Sequence, residues 1–269
     1  MLFMDNHDIP DAVSYSKGDM EGYYYRAPGT DPCINLAIEE YLIKYCGKMK
    51  KPILYIWQNH DTVVIGRNQC AYRECDLRYA EENGIKVVRR LTGGGAVFHD
   101  EGNINYSFIL PVKMHDTDLS TKLVIEALGS IGIEAVKDGR NDICADGLKI
   151  SGNAYYTDKN TGLHHGTLLL KADRERMAKV LSVPVEKLKS KGIASVRSRV
   201  GDIASYCPDV CYKDVEKALR TAFINIYGID HMKDIIIHET DLEDLVEKYR
   251  SNKWNIEKVS IDSMGSDEL

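Results

Sequence analysis

The chain has 269 residues, 43% hydrophobic and 28% charged, with a formal net charge of −6. This is the balance of a soluble globular protein of one large or two small domains, and it excludes a surface built to coat nucleic acid. No apolar run approaches the ~20 residues that cross a bilayer, so no membrane association is expected.

The first twenty residues are acidic and contain no arginine, which argues against a secretory or mitochondrial leader and for a cytoplasmic protein. Seven scattered cysteines form no Cys-x-x-Cys pair, and no histidine completes a metal site near Cys207 and Cys211. Reduced thiols and no bound metal are the expectation. The terminal Ser266-Asp267-Glu268-Leu269 resembles a retention signal of the endoplasmic reticulum, but without an entry signal it reads as chance.

In chain order, residues 1–21 read as a loose leader. Tyr23-Tyr24-Tyr25 opens ordered structure as a strand. Asp31-Pro32 is an N-cap followed by proline at the first helical position, and the helix it starts sets Ile34, Ile38, Tyr41, Leu42 and Tyr45 near one face. Strands at residues 53–57 and 62–66 are joined by the polar turn Asn59-His60-Asp61. A helix over residues 72–82 ends at Asn83-Gly84, and a strand at 85–90 leads into three consecutive glycines.

Strands at 96–99 and 105–110 precede a helix at 119–128. Asp146-Gly147 turns a hairpin between residues 142–145 and 148–154, and a turn at 159–162 leads into a strand at 163–170. Helices follow at 173–181, 212–226 and 240–250. Strands first and helices later predict an α+β fold, with helices packed on mixed sheets, and no linker divides it.

The most informative stretch is Arg89-Arg90-Leu91-Thr92-Gly93-Gly94-Gly95-Ala96-Val97-Phe98-His99-Asp100. Three glycines remove every Cβ from a turn between strands, so a ligand can approach main-chain N–H groups closely. The two arginines ahead of it suit phosphate or carboxylate. It is neither a Walker A loop nor a dinucleotide fingerprint, and a plain tight turn remains open.

The hairpin is the second feature. A two-residue turn pairs Ala145 with Leu148, Cys144 with Lys149 and Asp142 with Ser151, which sets Asp142, Cys144, Lys149 and Ser151 on one face. A lysine on that face can neutralise a carboxylate and a phosphate together, or simply face solvent. Adjacent His164 and His165 must point to opposite faces, so one inward histidine is expected rather than a metal pair. His99-Asp100 reads as structural or substrate-positioning, since no nucleophile motif accompanies it.

Taken in order, these segments resemble the lipoate–protein ligase A family. The matching pieces are Asn35-Leu36-Ala37-Ile38-Glu39-Glu40, Trp57-Gln58-Asn59, Thr62-Val63-Val64-Ile65-Gly66-Arg67-Asn68-Gln69 and the triple-glycine stretch. Gly139-Arg140-Asn141-Asp142, the Lys149-Ile150-Ser151-Gly152-Asn153-Ala154 strand, the 164–168 strand and Gly192-Ile193-Ala194-Ser195-Val196-Arg197-Ser198-Arg199 complete them. The match covers about residues 23–255.

The resemblance implies a biotin/lipoate ligase-like catalytic domain over residues 22–255, with a tail at 256–269. It implies two steps: lipoate and Mg-ATP (Mg2+ entering with the nucleotide) give lipoyl-AMP, and a lysine of an apo lipoyl domain then takes the lipoyl group. The acceptors would be E2 subunits of 2-oxoacid dehydrogenases and the H protein of glycine cleavage. Lys149 matches the family lysine that contacts the lipoyl carbonyl and the phosphate.

Arg90, Gly94, Gly95, Ala96, Val97 and Phe98 match nucleotide-contacting positions. Arg89, Asn141, Asp142, Ala154, His165 and Thr167 match pocket-lining ones. Val63, Val64, Val87 and Val88 are candidates for an apolar slot around the dithiolane. Lys187, Lys189, Lys191, Arg197 and Arg199 form a basic stretch that the family sets near the adenylate.

Two-domain members continue with an accessory domain after the residues matching Trp254. Its expected absence leaves three readings: a separate accessory chain, transfer from preformed lipoyl-AMP, or a chain complete in itself. An ATP-independent lipoyl or octanoyl transferase using a cysteine such as Cys144 is the alternative enzyme. A non-catalytic lipoate-binding module and a biotin ligase fit the motifs less well.

Overall fold

A computed structural model describes residues 20–181 and 200–257. The basic stretch from Lys187 to Arg199, most of the leader and the residues from 258 on lie outside the described residues. Met20 and Glu21, the last residues of the span read as leader, are among the described residues. Strand β1 (Glu21–Arg26) opens the fold, and its neighbour Met20 packs against the core.

Helix α1 (Pro32–Met49) follows the expected cap. The Asp31 side chain accepts from the Cys33 N–H at 2.9 Å, with proline next. Burial wraps further around this helix than the predicted stripe. Leu36, Ala37, Leu42, Ile43 and Cys46 are buried, whereas Ile34, Tyr41 and Tyr45 are half-buried. The helix lies between a large sheet and a C-terminal helix, so no side of it is fully wet.

Strands β2 (Ile53–Trp57) and β3 (Thr62–Ile65) follow, then helices α2 (Ala71–Glu74) and α3 (Leu77–Glu82) and strands β4 (Lys86–Arg89), β5 (Val97–His99) and β6 (Asn103–Pro111). The single helix expected over 72–82 is two. Cys75 is extended and bridges Leu181, and Asp76 recaps the chain by accepting from the Tyr79 N–H. Helix α4 (Thr117–Ser130) leads to β7 (Val136–Asp138), β8 (Asp142–Ala145), β9 (Leu148–Thr157) and β10 (Thr161–Leu169). Then come α5 (Arg174–Val180), α6 (Tyr212–Tyr227), β11 (His231–Asp234), α7 (Glu243–Arg250) and α8 (Asn252–Asn255).

The strands form an eight-stranded sheet in the order β11-β1-β2-β6-β10-β9-β8-β7 and a three-stranded sheet β4-β3-β5. Pairings β1–β11, β1–β2 and β3–β4 are parallel and the others antiparallel. The mixed α+β architecture agrees with the sequence reading. The turn at Asn59-His60-Asp61 does not close a hairpin, however: β2 and β3 belong to different sheets.

Side-chain alternation assigns the two faces of the large sheet. Leu54, Ile56, Tyr106, Phe108 and Leu168 pack against α4 and α6, whose Leu123, Leu128, Leu219 and Phe223 are buried with them. The opposite face carries Tyr55, Trp57, Ile109 and Leu163 against α1, joined by Val64 and Val88 of the small sheet. Val63, Val87 and Phe98 turn to the far side of the small sheet, where α2, α3 and α5 cover them. Of the four valines proposed for an apolar slot, only Val64 and Val88 face the α1 side.

Candidate functional site

The glycine loop sits at the end of β3. The Arg67 N–H donates to the Thr92 carbonyl at 2.8 Å, and a Cβ on Gly66 would lie 2.2 Å from the Gly94 carbonyl. Only glycine at position 66 permits that approach. Gly94 itself has φ +92°, a left-handed conformation that favours glycine.

Arg89 and Arg90 leave β4 in opposite directions. Arg90 is buried, and its guanidinium donates to the carbonyls of Val64 (3.1 Å), Gly93 (2.6 Å) and Gly95 (2.8 Å) and, through Nε, to Thr92 Oγ1 at 2.9 Å. It braces the loop from inside, and burial lowers its pKa to about 10. Arg89 is also fully buried, but its guanidinium donates to carbonyls of residues 66, 67, 69, 254 and 255, beneath the loop rather than in a cleft.

From Thr92 a hydrogen-bond chain runs into the α1 face of the large sheet. Thr92 Oγ1 meets His165 Nε2 at 2.8 Å, and His165 Nδ1 meets Glu39 Oε1 at 2.8 Å. Ser107 Oγ donates to the same carboxylate oxygen at 2.6 Å and accepts from Trp57 Nε1 at 3.0 Å. With the His165 proton on Nδ1, every donor in this chain has an acceptor, which suits a buried network. Thr92, Glu39, Ser107 and Trp57 were not among the predicted site residues. Glu39 follows Asn35 by one helical turn, and two polar residues stacked on a helix packed among apolar ones are the signal that could have found them.

His164 points the other way, as alternation requires. Its Nδ1 meets Ser120 Oγ and its Nε2 meets Asn153 Oδ1, both at 2.8 Å, and burial holds its pKa well below the usual histidine range. His99 and Asp100 diverge rather than pair. His99 Nδ1 faces Asn59 Nδ2 at 3.2 Å, and burial, with Arg90 and His165 nearby, lowers its pKa to about 3. Asp100 accepts from the backbone N–H groups of Gly102 and Asp173 at 2.8 and 2.6 Å.

The hairpin differs from the predicted register in one respect. Ala145–Leu148 and Cys144–Lys149 pair as expected, but a bulge between Ile143 and Cys144 then pairs Ile143 with Ser151 and Asp142 with Gly152. One extra residue, Ile150, flips the alternation of β9. Ser151 therefore leaves the face of Lys149 and bonds to Asn153 Nδ2 at 3.3 Å inside the core. Gly152 takes its place, and a Cβ there would sit 3.0 Å from Lys149 Nζ and 3.7 Å from Thr167 Oγ1.

Lys149 thus lies over a strand position without a side chain, beside Thr167 and two residues along β10 from His165. Its Nζ pairs with Asp142 Oδ1 at 2.7 Å, both groups being partly exposed. Thr167 Oγ1 accepts from the Gly152 N–H at 3.1 Å, and Ala154 pairs with His165 across β9–β10. The Asn141 carbonyl accepts from the Asn153 N–H at 2.8 Å, while its buried Oδ1 has no hydrogen-bond partner.

So the structure brings together Asp142, Lys149, Ala154, His165, Thr167, Arg90, Gly94 and Gly95, with Val97 on the same side of β5. The Phe98 ring turns away beneath Arg176, at 5.7 Å, so only its backbone borders the loop. Ala96 packs toward that same outer cluster. Among the described residues no group of three or more His, Cys, Asp or Glu side chains could hold a metal ion, and no helix is long and apolar enough to cross a membrane.

The family model of the lipoyl protein ligase A/B catalytic domain matches residues 31–224. A bipartite lipoate protein ligase from Thermoplasma acidophilum, described alongside its E2 lipoyl domain as an archaeal lipoylation system, is 31% identical over 88% of this chain and 96% of that chain, with a TM-score of 0.76. A lipoate–protein ligase A bound with ATP is 30% identical over 88% of this chain and 98% of its own, with a TM-score of 0.75. A protein from T. acidophilum described as a lipoate protein ligase, with bound lipoic acid, is 28% identical over 89% and 99%, with a TM-score of 0.73. The chain belongs to the family of lipoyl protein ligase A/B catalytic domains. Within it, the likeness is to lipoate–protein ligase A.

Proposed function

We propose that this protein is an ATP-dependent lipoate–protein ligase: lipoate and Mg-ATP give lipoyl-AMP and pyrophosphate, and a lysine of an apo lipoyl domain then displaces AMP. The observation that carries this reading is the Thr92–His165 bond, which holds the glycine loop against the same sheet face that presents Lys149. An anion cradle and a partly exposed ammonium on one face are what joining a carboxylate to a phosphate requires.

In the first step a lipoate oxygen attacks the α-phosphorus and pyrophosphate leaves. The Lys149 ammonium, released from Asp142, offsets the repulsion between carboxylate and phosphate. The main-chain N–H groups of residues 94–98 receive phosphate, with Arg90 bracing the loop from within. In the second step the acceptor amine attacks the acyl carbonyl, Lys149 steadies the oxygen on which charge develops, and AMP departs. Val64, Val88 and Val97 offer the acyl chain an apolar wall. Asn141, Ala154 and Thr167 border the carboxylate end.

The ATP-bound relative supports a nucleotide site within the shared part of the fold, since the match covers 98% of that chain. The acceptors proposed are lipoyl domains of E2 subunits and the glycine-cleavage H protein, and the compartment proposed is the cytoplasm. The bipartite relative supports a second polypeptide that completes adenylation. Chemistry disfavours a cysteine transferase: Cys144 is 4% exposed and burial raises its thiol pKa, so little thiolate is available.

The deciding experiment is pyrophosphate release from Mg-ATP and lipoate, with and without an apo lipoyl domain and an accessory chain. Lipoate-dependent release supports the ligase. Lipoylation that ignores ATP and disappears in Cys144→Ala refutes it.

A further inference from the structure

Arg89 is a buried cation with no carboxylate partner among the described residues. Among the described residues its charge is met by backbone carbonyl dipoles. Nε donates to Trp254 O and Nη2 to Asn255 O, both at 2.9 Å. Nη1 lies 3.1 Å from Gly66 O, 3.1 Å from Arg67 O and 2.6 Å from Gln69 O. Two segments far apart in sequence therefore close on one guanidinium. Each alone would leave N–H donors of a buried cation unmet, a costly state.

The turn at the end of α8 also grips the main chain of Arg89. Its N–H donates to Asn255 Oδ1 and its carbonyl accepts from Trp254 Nε1, both at 2.9 Å. Asn255 is 5% exposed and is itself fixed by donating Nδ2 to Tyr249 O at 2.7 Å. On the other side, residues 66–69 are the floor of the glycine loop, through the Arg67 N–H to Thr92 O bond and the close approach of Gly66 to Gly94.

We propose that Trp254 and Asn255 are positioning residues for the nucleotide loop, acting through Arg89. They hold Arg89 so that its guanidinium fixes the carbonyls of residues 66, 67 and 69, and this sets the loop height at which phosphate meets the N–H groups of residues 94–98. The lipoate side of the site, on β9 and β10, has no part in this cage. The C-terminal turn therefore governs nucleotide affinity selectively. This inference rests on the nucleotide reading of the loop given above.

The test is calorimetric titration of the purified protein with Mg-ATP and, separately, with lipoate. Asn255→Leu is expected to weaken Mg-ATP binding at least tenfold while lipoate binding changes less than twofold. Trp254→Phe, which keeps an aromatic side chain but loses the indole N–H to the Arg89 carbonyl, gives a smaller shift of the same kind and guards against a misfolded first variant. In an Arg89→Lys background, Asn255→Leu should produce a smaller further loss, since only its bond to the main chain of residue 89 remains to be lost.

Equal weakening of both ligands, a lowered melting temperature with unchanged Mg-ATP affinity, or an undiminished effect in Arg89→Lys would each overturn the proposal. A wild-type protein that binds lipoate but no Mg-ATP, even with an accessory chain present, would instead refute the ligase reading on which it rests.

Discussion

Replacing Gly152 by alanine is expected to disable Lys149 while leaving the fold intact. The new Cβ would stand 3.0 Å from Lys149 Nζ and 3.1 Å from Cε. Carbon contacts are comfortable at about 3.5–4.0 Å, so the end of the lysine must retreat by roughly half an ångström or more. It is free to do so, because its side chain is 34% exposed and, among the described residues, is tethered at Asp142. Stability should accordingly change by no more than about 1 kcal/mol, with the lower chain entropy of unfolded alanine helping.

Catalysis is less forgiving, since a misplacement near 1 Å can cost about a hundredfold. A loss of about 10–100-fold in lipoate-dependent pyrophosphate exchange is expected, equivalent to about 1.4–2.7 kcal/mol of transition-state stabilisation. The assay pairs that rate with affinity for a non-hydrolysable lipoyl-adenylate analogue, measured in wild type, Gly152→Ala, Lys149→Ala and the double variant. Because the alanine acts through the lysine, the two changes should be strongly non-additive. Unchanged exchange in Gly152→Ala, or full additivity in the cycle, would refute the reasoning.

Lys149→Ala should abolish adenylation with little change in melting temperature, since a partly exposed ammonium contributes little to packing; retained turnover would remove the proposed mechanism. Gly66→Ala forces a Cβ to within 2.2 Å of the Gly94 carbonyl, so the loop must move, and Mg-ATP affinity should fall by about a hundredfold in titration while lipoate still binds. Cys144→Ala should retain full ligase activity in the same exchange assay, as expected for a buried thiol. His99 and His164 both have folded pKa values lowered by burial, so below the unfolded value of about 6.5 the unfolded chain binds protons that the folded chain refuses. Stability should fall by about 1 kcal/mol for each as pH drops from 6.5 to 5.5, and urea melts of His164→Asn should show that loss reduced by one histidine's share.

Local signals carried much of the fold. The Asp31-Pro32 cap, the Asn83-Gly84 stop and the Asp146-Gly147 turn act within a few residues, and each lies where it was read. What required the third dimension was partner choice. Nothing near Asn59-His60-Asp61 says that β2 and β3 enter different sheets, because that depends on which strands lie ready beside them. Strands β7 and β11 escaped notice because they are short, mostly exposed edges without apolar alternation.

The candidate site was legible only in part. Lys149 was singled out only by the resemblance to the lipoate–protein ligase A family, whereas the triple glycine stood out by residue type and spacing. The bulge at Ile150 did not, since both β9 registers bury an acceptable residue, and Gly152 was consequently overlooked in favour of Ser151. Glu39 was hidden because a carboxylate buried in a helix looks like an exposed one until its partners, Ser107 and His165, are known.

Three doublets in this chain, Glu39-Glu40, Arg89-Arg90 and His164-His165, divide in the same manner. Glu39 serves His165, whereas Glu40 takes Lys248 and Tyr249 of α7 at 2.5 and 2.9 Å. Arg90 braces the loop while Arg89 grips the C-terminal turn, and His165 joins the site while His164 joins the core. Each pair is a matched experiment supplied by the fold: one substitution, made at either of two neighbouring positions, perturbs identical chemistry in different surroundings. A variant at 165 judged against its twin at 164, or at 90 against 89, separates what the side chain does from where it is.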